Sequence, residues 1–269
     1  MFSQNVACRP LKKISTWRRI SMAVWERPGD PSVYGTMEID AGPALKFLEG
    51  KNLTITHLII KAVAKTLAQY PQLNVIIRRN RLYVRDHVDL FVQVFFKEKE
   101  NPDLSGAKIR NAHQMGLEEV AKTLTEQSQK IRSNNDPNLK TAKSTFRYFP
   151  PLLLKWIIKA TAYLGYDLNI SPKFLGLPPD PFGAAMITNV GMFGLHFGFA
   201  PLVPFSRTPM VILIGEITNR PFVENDAVVV KPMFDFCVTI DHRIIDGYMG
   251  GVAGAYIKKL FANPEMLEE

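Results

Sequence analysis

Phe236-Cys237-Val238-Thr239-Ile240-Asp241-His242-Arg243-Ile244-Ile245-Asp246-Gly247 is the most informative stretch of this 269-residue chain. From Phe234 to Ile240 the run of aromatic and β-branched residues reads as a strand. That strand delivers His242, then a carboxylate four residues on, then a glycine at a turn. A strand end gives an imidazole a fixed mount while leaving one nitrogen exposed, as a general base requires. Asp246 and Arg243 offer charges that lock the turn. A bare HxxxDG spacing is equally served by a structural histidine inside a charged turn.

Working outward, Val33 to Asp40 alternates like a strand, and Ala41 to Gly50 reads as a short helix ended by glycine. Leu58, Ile59, Ala62, Val63 and Leu67 recur at helical spacing until Pro71 stops the run. Leu73 to Ile77, Arg81 to Val84 and Val88 to Phe96 read as strands, with Arg79-Asn80 as a tight turn. Leu117, Val120, Ala121, Leu124 and Ile131 form a second helical stripe, and 133–138 is a loop. Pro150-Pro151 then opens an apolar segment, Leu152 to Leu164, too short and interrupted to cross a membrane, with Gly165 as its cap. Ala184 to Val190, Met210 to Gly215 and Ala227 to Val230 return to strand character. A small-residue helix closes the chain from Gly250 to Phe261. Mixed strands and helices without regular βαβ alternation predict an α+β fold.

With 46% hydrophobic residues the chain can bury a full core. The formal charge of +8 favours anionic partners such as phosphorylated cofactors or acidic lipid headgroups. The aromatics are not interleaved with a basic stripe, which argues against nucleic acid. Two cysteines, Cys8 and Cys237, lie far apart without CxxC spacing, which fits a reducing compartment and makes the cytoplasm the default location. His57, His87, His113 and His196 lack metal-ligand spacing with another His, Cys or acid, so no metal is expected. Of these, His196 alone follows a glycine-flanked turn that could approach a substrate.

The whole string Asp241 to Gly247, close to the C-terminus, resembles the signature of the 2-oxoacid dehydrogenase acyltransferases. Met186-Ile187-Thr188-Asn189-Val190-Gly191-Met192-Phe193-Gly194 resembles that family's oxyanion-site strand and turn, and Thr239 and Ile214-Gly215-Glu216 fit as well. Ser15 to Met22, with Arg18 and Arg19, is similar to the family's opening helix, and Thr56 to Asn74 to its next helix. The likeness spans about Leu11 to Pro264, apart from 133–183.

This resemblance implies a chloramphenicol-acetyltransferase-like fold, a mixed central sheet with flanking helices and an active site at a trimer interface. It implies that His242 takes the proton from the thiol of coenzyme A or dihydrolipoamide, and that the thiolate attacks an acyl thioester. Thr188 stands where the family usually has serine, and its hydroxyl would donate to the tetrahedral intermediate. Asp246 matches the family aspartate that pairs with an arginine, here Arg18, to hold the histidine loop. Arg243, Gly247 and Asn189 support the site. Coenzyme A enters as an acyl-CoA substrate, or a lipoyl group is supplied on another protein.

The chain also departs from the family pattern. About ten residues (1–10) precede the expected catalytic domain, 11–269, so no lipoyl domain of its own is expected. Its last residues end in acids rather than an apolar plug, which predicts a homotrimer and not a cage. The segment at about 144–181 reads as an apolar insertion. It is compatible with ordinary burial, a channel cover, a protein partner or peripheral attachment to a membrane. The competing readings of function are a non-catalytic trimeric scaffold of the same fold and acetylation of a hydroxylated small molecule.

Overall fold

A computed structural model describes residues 4–10, 30–98, 101–133, 151–171 and 178–268. Its strands are β1 (Cys8–Pro10), β2 (Ser32–Asp40), β3 (Val75–Arg78), β4 (Arg81–Arg85), β5 (Leu90–Glu98), β6 (Asn101–Ile109), β7 (Ala185–Asn189), β8 (Met210–Ile214), β9 (Thr218–Glu224) and β10 (Ala227–Asp241). Its helices are α1 (Gly42–Leu48), α2 (Ile55–Gln69), α3 (Leu117–Arg132), α4 (Pro151–Ala162) and α5 (Gly247–Ala262). The main sheet runs β2-β10-β8-β7-β5-β6 with β9 also on β10, and a small sheet runs β1-β4-β3. β7 pairs parallel with both β5 and β8, while the other pairings are antiparallel. This is the mixed α+β sheet expected from the sequence.

The helices are set by their apolar faces. α2 buries residues on nearly every side, including Leu58, Ile59, Ile60 and Leu67, so it is the central helix of the core. Its one buried ammonium, Lys61, donates to the carbonyls of His113 and Met115 at 3.0 and 2.5 Å. α1 and α5 pack beside α2, where Phe234 of β10 meets Phe261 of α5 edge-to-face with ring centroids 5.5 Å apart. Arg79 and Asn80 both take positive φ, 45° and 59°, which closes the predicted β3–β4 turn.

Three regions differ from the sequence expectation. Ala227 to Asp241 is one continuous strand across Lys231-Pro232, and β6 and β9 were not anticipated. Gly165 does not cap α4: it lies inside a π-helical turn, Tyr163–Asp167, where an added Cβ would sit 3.1 Å from the Asn5 amide. The need there is for close approach, not for a left-handed backbone. The 133–138 loop lies outside the described residues beyond Ser133, as does the opening helix with Arg18 and Arg19.

His57 gives the fold a pH dependence. It stands in the first turn of α2, where its Nδ1 accepts the Thr54 backbone N–H at 3.0 Å, so that nitrogen must be unprotonated. Burial pushes its pKa below the usual value. The unfolded chain therefore takes up a proton near the ordinary histidine value while the folded chain resists it. Stability is present above about pH 6.5 and falls on acidification below it. Thermal melts between about pH 7.5 and 5.5 should show a declining Tm that His57→Gln, which keeps an acceptor at this position, makes shallower.

Candidate active site

The predicted histidine sits where the sequence put it, just past the end of β10. Its backbone N–H donates to Pro31 O at 2.9 Å, which ties the loop to the residue before β2. The amides of Ile244 and Ile245 fold back onto Asp241 O at 2.9 and 3.0 Å. That turn brings Ile245 O to 3.0 Å from His242 Nδ1. A carbonyl oxygen can only accept, so Nδ1 carries the proton in this bond. In the neutral ring the lone pair is then on Nε2, the arrangement of a general base.

Charges lock this turn, and the expected Arg18 partner of Asp246 lies outside the described residues. Asp241 is buried and holds Arg243 in a fork, Oδ1 accepting from Nε at 3.0 Å and Oδ2 from Nη2 at 2.6 Å. Asp241 Oδ1 also accepts the Arg243 backbone N–H at 3.0 Å. Asp246 caps α5, its Oδ1 accepting from the Met249 amide at 2.9 Å. Gly247 is the first residue of α5 rather than a left-handed turn residue, and a Cβ there would meet open space. Asp241 is the supporting residue that sequence reasoning passed over. Its signal was a carboxylate directly before the histidine and two residues before an arginine.

Thr188 lies on β7, half-buried, and its hydroxyl has no partner among the described residues. Asn189 secures the turn behind it: Oδ1 accepts from the Gly191 amide and Nδ2 donates to Thr56 Oγ1 on α2's leading edge, each at 3.0 Å. Two glycines permit the close crossing that follows. A Cβ on Gly191 would lie 2.7 Å from Gly215 O, and one on Gly215 would lie 1.6 Å from His196 O. Gly215→Ala should therefore cost more than about 2 kcal/mol, read as a lower midpoint in urea. A loss below about 0.5 kcal/mol would contradict this crossing. His196 itself reaches toward Glu216 at 3.9 Å.

One chain does not bring Thr188 and His242 together. Thr188 pairs with Leu213, Leu213 pairs with Cys237, and His242 lies five residues beyond Cys237. Two strand spacings and five residues of rise put the Cα atoms of the two residues roughly 19 Å apart. A cavity of about 540 Å³ lies between the sheet and α5, lined by Gly35, Met37, Ile240, Asp246, Gly251 and Gly254 among others. Its walls are mainly apolar and His242 is not among them, so it adjoins the His242 loop without containing the imidazole. Beyond β7, Met192, Phe193, Leu195 and Phe197 are 63, 53, 53 and 66% exposed, an apolar belt that begins four residues after Thr188.

The described part of the 144–181 segment is held by buried charge. Asp167 accepts from Arg207 Nη2 at 2.8 Å, and Asp180 pairs with Arg85 Nε at 3.4 Å. Tyr166 packs with Val6 and Ile76 of the small-sheet side. Burial first, and then the negative charge of Asp180, push its phenol well above its usual pKa.

Comparison with known proteins agrees with the architecture. Over 225 residues the chain is 23% identical to the dihydrolipoyllysine-residue acetyltransferase component of the pyruvate dehydrogenase complex of Rickettsia felis, covering 82% of this chain and 43% of that protein. The chain thus spans less than half the length of that curated relative. A probable dihydrolipoamide acetyltransferase structure from Listeria monocytogenes superposes with a TM-score of 0.61 at 19% identity, covering 95% of each chain. A chloramphenicol acetyltransferase superposes at 0.50 with 11% identity, covering 97% of this chain and 100% of that one. The fold is therefore the chloramphenicol-acetyltransferase-like one. The profile of the family described as 2-oxoacid dehydrogenases acyltransferase (catalytic domain) matches residues 30–147 and 182–268 and leaves 148–181 unmatched. With that match over most of its length, the chain belongs to the 2-oxoacid dehydrogenase acyltransferase catalytic-domain family.

Proposed function

We propose that this protein transfers an acyl group between a thioester and a thiol, using His242 of one copy and Thr188 of a neighbouring copy in a homotrimer. The observation that carries the reading is the Nδ1-to-Ile245 O bond, which leaves Nε2 as the basic nitrogen. Nε2 takes the thiol proton and the thiolate attacks the thioester carbonyl. The Thr188 hydroxyl donates to the tetrahedral oxyanion. Collapse expels the second thiolate, which recovers the proton from the imidazolium. The distance between His242 and Thr188 within one chain, and the apolar belt beside Thr188, both support a site completed by a second copy. Coenzyme A is the proposed thiol or acyl-CoA substrate, with a lipoyl group on another protein as the alternative carrier. The formal charge of +8 suits the phosphates of the former.

The test is thiol release from a panel of short- and long-chain acyl-CoA donors, with dihydrolipoamide among the acceptors. Turnover is expected, and Thr188→Val should lower kcat by about 10²- to 10³-fold while Thr188→Ser retains activity. No turnover from a correctly assembled trimer with any donor would favour the non-catalytic scaffold instead.

A further inference from the structure

We propose that the outward face of α4 binds the surface of an anionic lipid bilayer. Leu153, Trp156 and Tyr163 are 45, 62 and 52% exposed, and Ala160 is exposed with them. Steps of three, four and three residues put these four on one helical face. The opposite side is fixed: Ala162 packs onto the Val6, Ile76 and Tyr166 cluster, and the Asp167–Arg207 and Asp180–Arg85 pairs follow. The helix therefore cannot roll its apolar stripe inward without breaking buried ion pairs. The charge in this stretch of the sequence has one sign. Lys159 is exposed with its ammonium 5.3 Å from the Trp156 ring. From Pro137 to Tyr166 the sequence holds five basic residues and no Asp or Glu. Tryptophan and tyrosine rings with a lysine beside them suit the headgroup boundary, where the rings sit among lipid and the ammonium meets phosphate. Symmetric pairing of this face with a second copy would instead oppose like charges. No described helix is long and apolar enough to cross a membrane, so α4 would lie in the plane of the surface.

The experiment is vesicle flotation of the full chain, comparing phosphatidylcholine alone with vesicles containing about one third phosphatidylserine. The protein should float with the anionic vesicles only. Leu153→Ser combined with Trp156→Ser should lower the bound fraction about tenfold. Lys159→Glu should lower it roughly fivefold, with the remainder weakened by salt. These side chains are exposed, so unchanged thermal melts will report intact folding, and acyl transfer in solution should be unaffected. Absence of flotation overturns the proposal. So does flotation that the double serine variant leaves unchanged, because the general positive charge would then account for it. A double variant that alters sedimentation size without altering flotation would assign the face to another protein copy and overturn it as well.

Discussion

His242→Ala should lower acyl transfer by roughly 10²- to 10⁴-fold while the protein remains folded and assembled. The loop survives the substitution because its geometry rests on backbone groups. The residue 242 amide still reaches Pro31 O, and the amides of Ile244 and Ile245 still reach Asp241 O. Mixing offers a sharper test than loss alone. If the base and the oxyanion donor come from different copies, co-refolding His242→Ala with Thr188→Val assembles some interfaces that carry both wild-type groups. Random assembly at equal amounts makes about a quarter of the sites intact, so activity should return to about a quarter of wild type. Recovery absent from mixed trimers would place both groups in the same copy's site, against the roughly 19 Å that the strand register sets between their Cα atoms.

Arg85→Met should destabilise the fold by about 3–5 kcal/mol. The Arg85 side chain is 2% exposed where it pairs with Asp180, and it also donates to Val75 O at 2.8 Å and to Arg207 O at 3.4 Å. Methionine fills much of the volume but leaves a buried carboxylate without its cation and Val75 O without this donor. For a chain of this size the loss corresponds to a Tm lower by on the order of ten degrees. Adding Asp180→Asn should restore part of the loss, since asparagine tolerates the φ of 38° at this position and removes the stranded charge. Equal stability of the single and double variants would mean that the carboxylate is not what the arginine compensates. Arg85 bonds to Asp180, Val75 and Arg207 rather than to the His242 loop, so either change should act on the folded fraction and leave the activity of the remaining folded enzyme near wild type.

Much of the fold was legible because it rests on short-range patterns. The alternation in β2, the helical stripe of α2 and its stop at Pro71, and the β-branched run leading to His242 each have one secondary structure that suits them. β6 and β9 were harder because polar residues, glycine and proline dominate them. β6 is the edge strand, where Pro102 needs no ladder partner on its outer side. β9 exists because it pairs with β10 through Asn225-Asp226, whose φ values of 50° and 62° form the two-residue turn. That asparagine-aspartate pair was the sequence signal for the hairpin.

The sequence by itself determined the α+β class, the position of His242 at a strand end and the net positive charge of the molecule. Those follow from local periodicity, residue chemistry and summed charge, none of which requires knowing what lies across the sheet. Only the tertiary structure decided that Asp241 holds Arg243 in a fork. It also decided that Ile245 O fixes the His242 tautomer, and that Thr188 lies far from that ring within one chain. It showed Asp167 and Asp180 tied to Arg207 and Arg85, with the apolar stripe of α4 facing outward. Each of these depends on strand register or on contacts between residues remote in sequence. Such contacts are chosen by packing and by the cost of leaving buried charges unpaired, which no local pattern encodes.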